Sequence, residues 1–157
     1  MQAGMMARNT GKQPPRLGGT IGAFDMLHVG HLRFLQLARS RCDFLRVGVG
    51  SDRLLQHSKH LKPVIDEQQR CELLRGLSCV NDVLVFDIGL DQTDAAVDFL
   101  CAWPIHVFFV SEDWAGSQRF KTLEPALLEK GIVCEWLPYT AGISSSDIRQ
   151  RLERDHQ

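Results

Sequence analysis

Residues 22–31 read GAFDMLHVGH, and the side chains in this run suit phosphate chemistry. His28 and His31 lie three apart, with Gly30 between them and Asp25 just ahead. Two imidazoles at the start of a helix can both donate to one anion, and the helix adds free N–H groups and its dipole. Gly30 carries no side chain, so a phosphate could approach the backbone. The same His-x-x-His is also half of a metal site, or a pair of surface histidines, but no Cys or carboxylate cluster with ligand spacing accompanies it. Near the other end, TAGISSSDIR (140–149) holds Gly142, which permits a tight turn, and Ser144, Ser145 and Ser146. These hydroxyls can cap a helix or bind phosphate. Asp147, three after Ser144, also fits a plain capping box. In KPVIDEQQR (62–70), Lys62 and Arg70 could hold a phosphate or stand as solvated surface charges.

Alternating elements must place these groups. GGTIGAF (18–24) reads as a strand, and HLRFLQLARSRC (31–42) has the apolar spacing of a helix starting near Val29 to His31. Strands follow at 44–51, 82–87, 105–111 and 132–138. Helices are expected at 66–78, capped by Asp66, at 93–103, stopped by Pro104, at 122–131 and at 144–154. Pro125 is placed in the first turn of the helix at 122–131, with Gly131 at its end. No element is assigned from 52 to 65. The β-α alternation predicts an α/β fold, a Rossmann-like three-layer α/β/α arrangement on a five-stranded parallel sheet. Ligands of such sheets bind outside the carboxyl ends of the strands. Those ends are Gly22 to Gly30, Ser51 onward, Ser111 to Gly116 and Tyr139 to Ser146.

The 157 residues suit one domain, with 1–16 expected as a flexible N-terminal tail and 17–157 as a single domain. A formal net charge of −1 gives no global pull toward nucleic acid or an anionic membrane, so neither is expected as a partner and an anion site must be local. No signal-peptide pattern and no bilayer-length apolar run occurs. The five cysteines are odd in number and form no C-x-x-C pair, which reads as buried, reduced thiols and a cytoplasmic location.

GAFDMLHVGH resembles the G-T-F-D-x-x-H-x-G-H signature of the cytidylyltransferase-like nucleotidylyltransferases. Gly22, Phe24, Asp25, His28, Gly30 and His31 match it. YTAGISSSDIR resembles the family's R-T-x-G-I-S-[ST]-[ST]-x-I segment, KPVIDEQQR its loop lysine and helix arginine, and SEDWAG the G-D-D-W segment of glycerol-3-phosphate cytidylyltransferases. Together these cover about residues 19–152. The resemblance implies catalytic roles for His28, His31 and Lys62. It implies nucleotide binding by Gly22, Ala23, Phe24, His28, Gly30, His31, Asp113, Gly142, Ile143, Ser144, Ser145 and Ser146, and substrate binding by Asp25, Lys62, Arg70 and Trp114. Asp25 also reads as structural, or as support for a histidine. Mg²⁺ is expected with the triphosphate rather than in a protein cage, and a homodimer is implied. The expected reaction is nucleotidyl transfer from CTP to a small phosphorylated alcohol, glycerol 3-phosphate giving CDP-glycerol, with release of pyrophosphate. The alternatives are an adenylyltransferase acting on a sugar phosphate and a nucleotide-binding module without turnover. Three departures bear on this. Ala23 replaces Thr, Ser111 replaces Gly, and Tyr139 stands where the glycerol-3-phosphate enzymes have a phosphate-binding Arg; Arg119 or Arg149 could supply that cation.

Overall fold

A computed structural model describes residues 14–59 and 62–154. Five parallel strands form one sheet: β1 (Leu17–Gly22), β2 (Phe44–Gly50), β3 (Asp82–Phe86), β4 (Val107–Ser111) and β5 (Val133–Leu137). Their order is β3-β2-β1-β4-β5. Parallel neighbours need crossover connections, and helices supply them. The helices are α1 (Val29–Ser40), α2 (Asp52–Lys59), α3 (Glu67–Arg75), α4 (Thr93–Ala102), α5 (Gln118–Glu129) and α6 (Ser145–Arg154).

Side chains alternate across each strand, so a sheet covered on both faces needs apolar residues at successive positions. In β4, Val107 and Phe109 enter a core with Leu35 and Ala38 of α1 and Cys71 and Leu74 of α3. Phe108 and Val110 enter a second core with Val97 and Leu100 of α4 and Phe120, Leu123 and Leu127 of α5. These are the three layers the alternation predicts.

Most expected elements recur within a few residues, and Asp66 caps α3 by accepting the Gln69 N–H at 2.9 Å. Two points differ. The first is α2, which forms where the sequence pattern predicts no element. Ser51 Oγ accepts the Leu54 N–H at 3.0 Å as its cap, and Leu55 is buried beneath it. The second is α5, which begins a full turn earlier than expected, so Pro125 lies inside the helix instead of in its first turn. Phe120, Leu123 and Leu127 share the buried face, and their joint burial outweighs the penalty of an interior proline. The end of α5 is as expected: Gly131 has φ +81°, and the N–H groups of Gly131 and Ile132 donate to Leu128 and Leu127.

Residues 1–13 of the expected tail lie outside the described residues. Arg16 is tied down, its N–H on Asp43 at 2.7 Å and its guanidinium on the Arg41 carbonyl and Glu135. Cys42, Cys71 and Cys79 are buried, but Cys101 on α4 is exposed because its neighbour Leu100 takes the inward position. Among the described residues, no helix is long and apolar enough to cross a membrane.

Candidate active site

The strand order reverses direction between β1 and β4, and a crevice opens there beyond the carboxyl ends of the strands. A cavity of about 390 Å³ occupies it, a size suited to a small-molecule ligand. The loop after β1, the turn after β4 and the start of α6 all reach it.

The loop after β1 holds two non-glycine residues in the left-handed region, Phe24 and Met26, both at φ +50°. Each costs about 1–2 kcal/mol, so the surroundings must hold the loop in place. Asp25, between them, is 5% exposed. Its carboxylate accepts the N–H groups of Val64 and Ile65, each at 3.0 Å, and the guanidinium of Arg149. Ser145 Oγ donates to the Asp25 carbonyl at 2.7 Å. Phe24 is buried, and its ring centroid lies 5.4 Å from that of His31.

His28 is the N-cap of α1. Its Nδ1 accepts the Gly30 N–H at 3.1 Å, and Nδ1 of His31 accepts the His28 N–H at 3.4 Å. The two histidines thus form a capping box with each other. Their rings stack with centroids 3.9 Å apart. A ring nitrogen that accepts a bond carries no proton, so each neutral imidazole has its N–H on Nε2. Partial burial lowers the pKa of His28, an effect that nearby Asp147 partly opposes. Through Nε2–H the pair offers two donors on neighbouring rings. Gly30 is required sterically: a Cβ there would lie 2.8 Å from Cε1 of His28.

The same added Cβ would lie 3.4 Å from the Ile143 side chain, so the starts of α1 and α6 abut. Two positive helix ends converge on one cavity. Gly142, at φ +84°, turns the chain into α6. Ser144 Oγ accepts the Asp147 N–H at 3.0 Å and donates to the Asp147 carboxylate at 2.7 Å, which is the plain cap.

The cavity brings together Gly22, Ala23, Phe24, Asp25, His28, Gly30, His31, Asp113, Trp114, Ile143, Ser144, Ser145 and Ser146, all expected from the sequence. Three expected residues do not line it. Gly142 acts through the turn. Lys62 is exposed, although its neighbour Pro63 reaches the cavity. Arg70 is 1% exposed and its guanidinium is bonded within the protein, to the Ile65 and Ala23 carbonyls and Asp52. Its guanidinium braces the loop after β1.

Both candidate replacement cations line the cavity, as does Tyr139. Arg149 sits on Asp25. Arg119 lies over the Trp114 ring at 5.0 Å, a cation–π contact. Leu54, Leu55 and Ser58 of α2 line the cavity together with Phe86, Ile88 and Leu90. The sequence pattern did not reveal this wall, because it showed neither α2 nor the approach of the segment after β3. Ser51 followed by Leu54 and Leu55 was the available signal. Among the described residues, no group of three His, Cys, Asp or Glu could hold a metal ion.

The Cytidylyltransferase-like family pattern matches residues 20–151. The chain is 41% identical over 140 residues to the bifunctional protein HldE of Hyphomonas neptunium, covering 88% of this chain and 27% of that protein. It is 32% identical over 143 residues to the bifunctional protein HldE of Helicobacter pylori, covering 87% and 27%. The chain therefore spans only about a quarter of these relatives. Among solved structures, the lipopolysaccharide core biosynthesis protein of Thermoplasma volcanium superposes with a TM-score of 0.63 at 20% identity, over 81% of this chain and 98% of that one. TmcAL of Thermotoga maritima, bound with alpha-thio ATP, gives 0.63 at 15% identity, over 90% and 51%. At these identities the superpositions speak for the fold alone. Both of these relatives are HldE proteins, so the nearness to glycerol-3-phosphate cytidylyltransferases that the SEDW and GISSS segments suggested does not extend to a particular substrate. With its motifs gathered at the switch point of a parallel sheet and the family pattern running through nearly the whole fold, the chain belongs to the cytidylyltransferase-like family.

Proposed function

We propose that this protein transfers an adenylyl group from ATP to the phosphate of a sugar phosphate and releases pyrophosphate. The observation that carries the transfer chemistry is the histidine pair, whose Nδ1 atoms are held by backbone N–H groups, leaving Nε2–H as the donor. The kinship with HldE proteins favours a sugar phosphate and ATP over glycerol 3-phosphate and CTP. The latter pair is the second reading, favoured by the resemblance of SEDWAG to G-D-D-W.

A phosphate oxygen of the acceptor attacks the α-phosphorus of the triphosphate. The bond from that phosphorus to the oxygen bridging the α- and β-phosphates breaks, and pyrophosphate leaves with the electron pair. A phosphate monoester has a second pKa of about 6, so at pH 7 it needs no general base. Catalysis is then positioning and neutralisation of charge. In this proposal His28 and His31 donate to the α- and β-phosphates. The α6 start, with Ser144 to Ser146, holds the β- and γ-phosphates. Arg119 faces the cavity as a cation, and Lys62 approaches the reacting phosphates from the rim. Among the described residues no group of three or more His, Cys, Asp or Glu forms a metal cage, and Mg²⁺ would enter with the triphosphate, supplying charge neutralisation.

The test is pyrophosphate release with Mg²⁺, crossing ATP, CTP, GTP and UTP against sugar phosphates and glycerol 3-phosphate. Release with ATP and a sugar phosphate is expected. Release only with CTP and glycerol 3-phosphate moves the substrate to the second reading. Nucleotide binding without release from any pair overturns the catalytic reading in favour of a binding module.

A further inference from the structure

Four donors from two distant segments converge on Asp25. Val64 N–H reaches Oδ2 and Ile65 N–H reaches Oδ1, each at 3.0 Å. Arg149 Nη2 shares Oδ2, and Ser145 Oγ takes the Asp25 carbonyl at 2.7 Å. Val64 and Ile65 follow directly on Lys62 and Pro63. Ser145 and Arg149 belong to the first two turns of α6, whose start lines the cavity. The carboxylate is buried, and Arg149 is the one cation paired with it among the described residues. A buried carboxylate that loses its cation becomes a poorly compensated charge, and the segments anchored on it lose a common reference point. The lysine-bearing segment and the phosphate-facing helix are thus joined through two carboxylate oxygens.

We propose that Arg149 is a positioning residue: through Asp25 it couples α6 to the 62–65 segment, so that a nucleotide bound at α6 prepares Lys62 for the phosphorylated acceptor. This rests on the nucleotidyl-transfer reading above. Coupling of this kind is reciprocal, so the acceptor strengthens nucleotide binding by the same factor. A nucleotide contact made directly by Arg149 would behave differently. It would weaken nucleotide binding on substitution, without any acceptor and without any effect on residues 64 and 65.

The deciding measurement is amide hydrogen exchange at Val64 and Ile65 with and without a non-hydrolysable ATP analogue, α,β-methylene-ATP, together with its Kd. In the wild-type protein the analogue slows exchange at both amides by about fivefold or more, the lower end of ordinary coupling. Arg149→Met loses that protection while the analogue's Kd stays within about threefold, and Arg149→Lys restores it. On a turned-over acceptor, Arg149→Met raises the acceptor KM by about tenfold and changes kcat less. No protection in the wild type, equal protection in Arg149→Met, or a weakened Kd as the sole effect each overturns the coupling. Protection by the analogue without turnover of any acceptor sinks the nucleotidyl-transfer reading and leaves the coupling standing. No binding of this analogue or of α,β-methylene-CTP overturns both.

Discussion

At the scale of the residue, the site turns on which nitrogen carries a proton. His28 Nδ1 is occupied by the Gly30 N–H, so making the ring cationic means giving up the cap of α1. His31→Ala is expected to lower kcat by about 10²- to 10³-fold, the usual cost of one well-placed donor. Steady-state kinetics with unchanged circular dichroism would check it, and a loss below about threefold would remove His31 from the chemistry. Gly30→Ala drives a Cβ into the His28 ring, so kcat should fall while Tm drops only slightly. The pH behaviour of His28 follows from its lowered pKa. Its stabilising effect is fully present above the unfolded value of 6.5 and is lost as pH falls through the lower folded pKa. Tm should therefore decline below about pH 6.5. In His28→Asn, where an amide oxygen keeps the cap without titrating, that decline should be shallower.

At the scale of the element, two helix starts do what neither could do alone. One helix N-terminus is a weak anion site. Two that touch, at Gly30 and Ile143, add their fields in one cavity. Elsewhere an element tolerates a local fault for the sake of its buried face. In α5, Pro125 offers no N–H to the carbonyl of Lys121, yet the helix continues because Phe120, Leu123 and Leu127 are buried. Pro125→Ala should supply that donor and raise stability by about 1 kcal/mol or more, out of the roughly 3 kcal/mol an interior proline can cost. Thermal unfolding measures this, and a fall in Tm would show that proline's restriction of the unfolded chain matters more.

At the scale of the whole molecule, the sheet order makes the crevice and buried polar ties keep its rim in place. Arg70 joins α3, Asp52 at the start of α2, and the Ala23 carbonyl in the loop after β1. Arg70→Met leaves the Ala23 and Ile65 carbonyls without their buried donor and the part-exposed Asp52 without its cation, and should cost about 1–3 kcal/mol, roughly 2–4 °C of Tm for each kcal/mol at this chain length. The expected signature is a large loss of stability, not the rise in acceptor KM that a residue touching the substrate would give. An acceptor KM raised at unchanged Tm would return Arg70 to the substrate.

The sequence by itself determined the alternation of strands and helices, the two apolar faces, and the histidine, serine and glycine clusters at the ends of elements. These rest on local periodicity and on short motifs whose spacing is set within one turn or one loop. It also hid α2, whose eight residues, Asp52–Lys59, carry too short an apolar pattern to stand out, and it set the start of α5 by its proline rather than by Phe120. What tertiary structure alone decided is how each charged group is used. Arg70 and Lys62 belong to one motif, yet one is sealed among carbonyls and the other is exposed. Asp25 and Arg149 are 124 residues apart and form one ion pair. Whether a charge meets substrate, solvent or another side chain depends on which distant segments the fold brings to it, and no local pattern carries that distance.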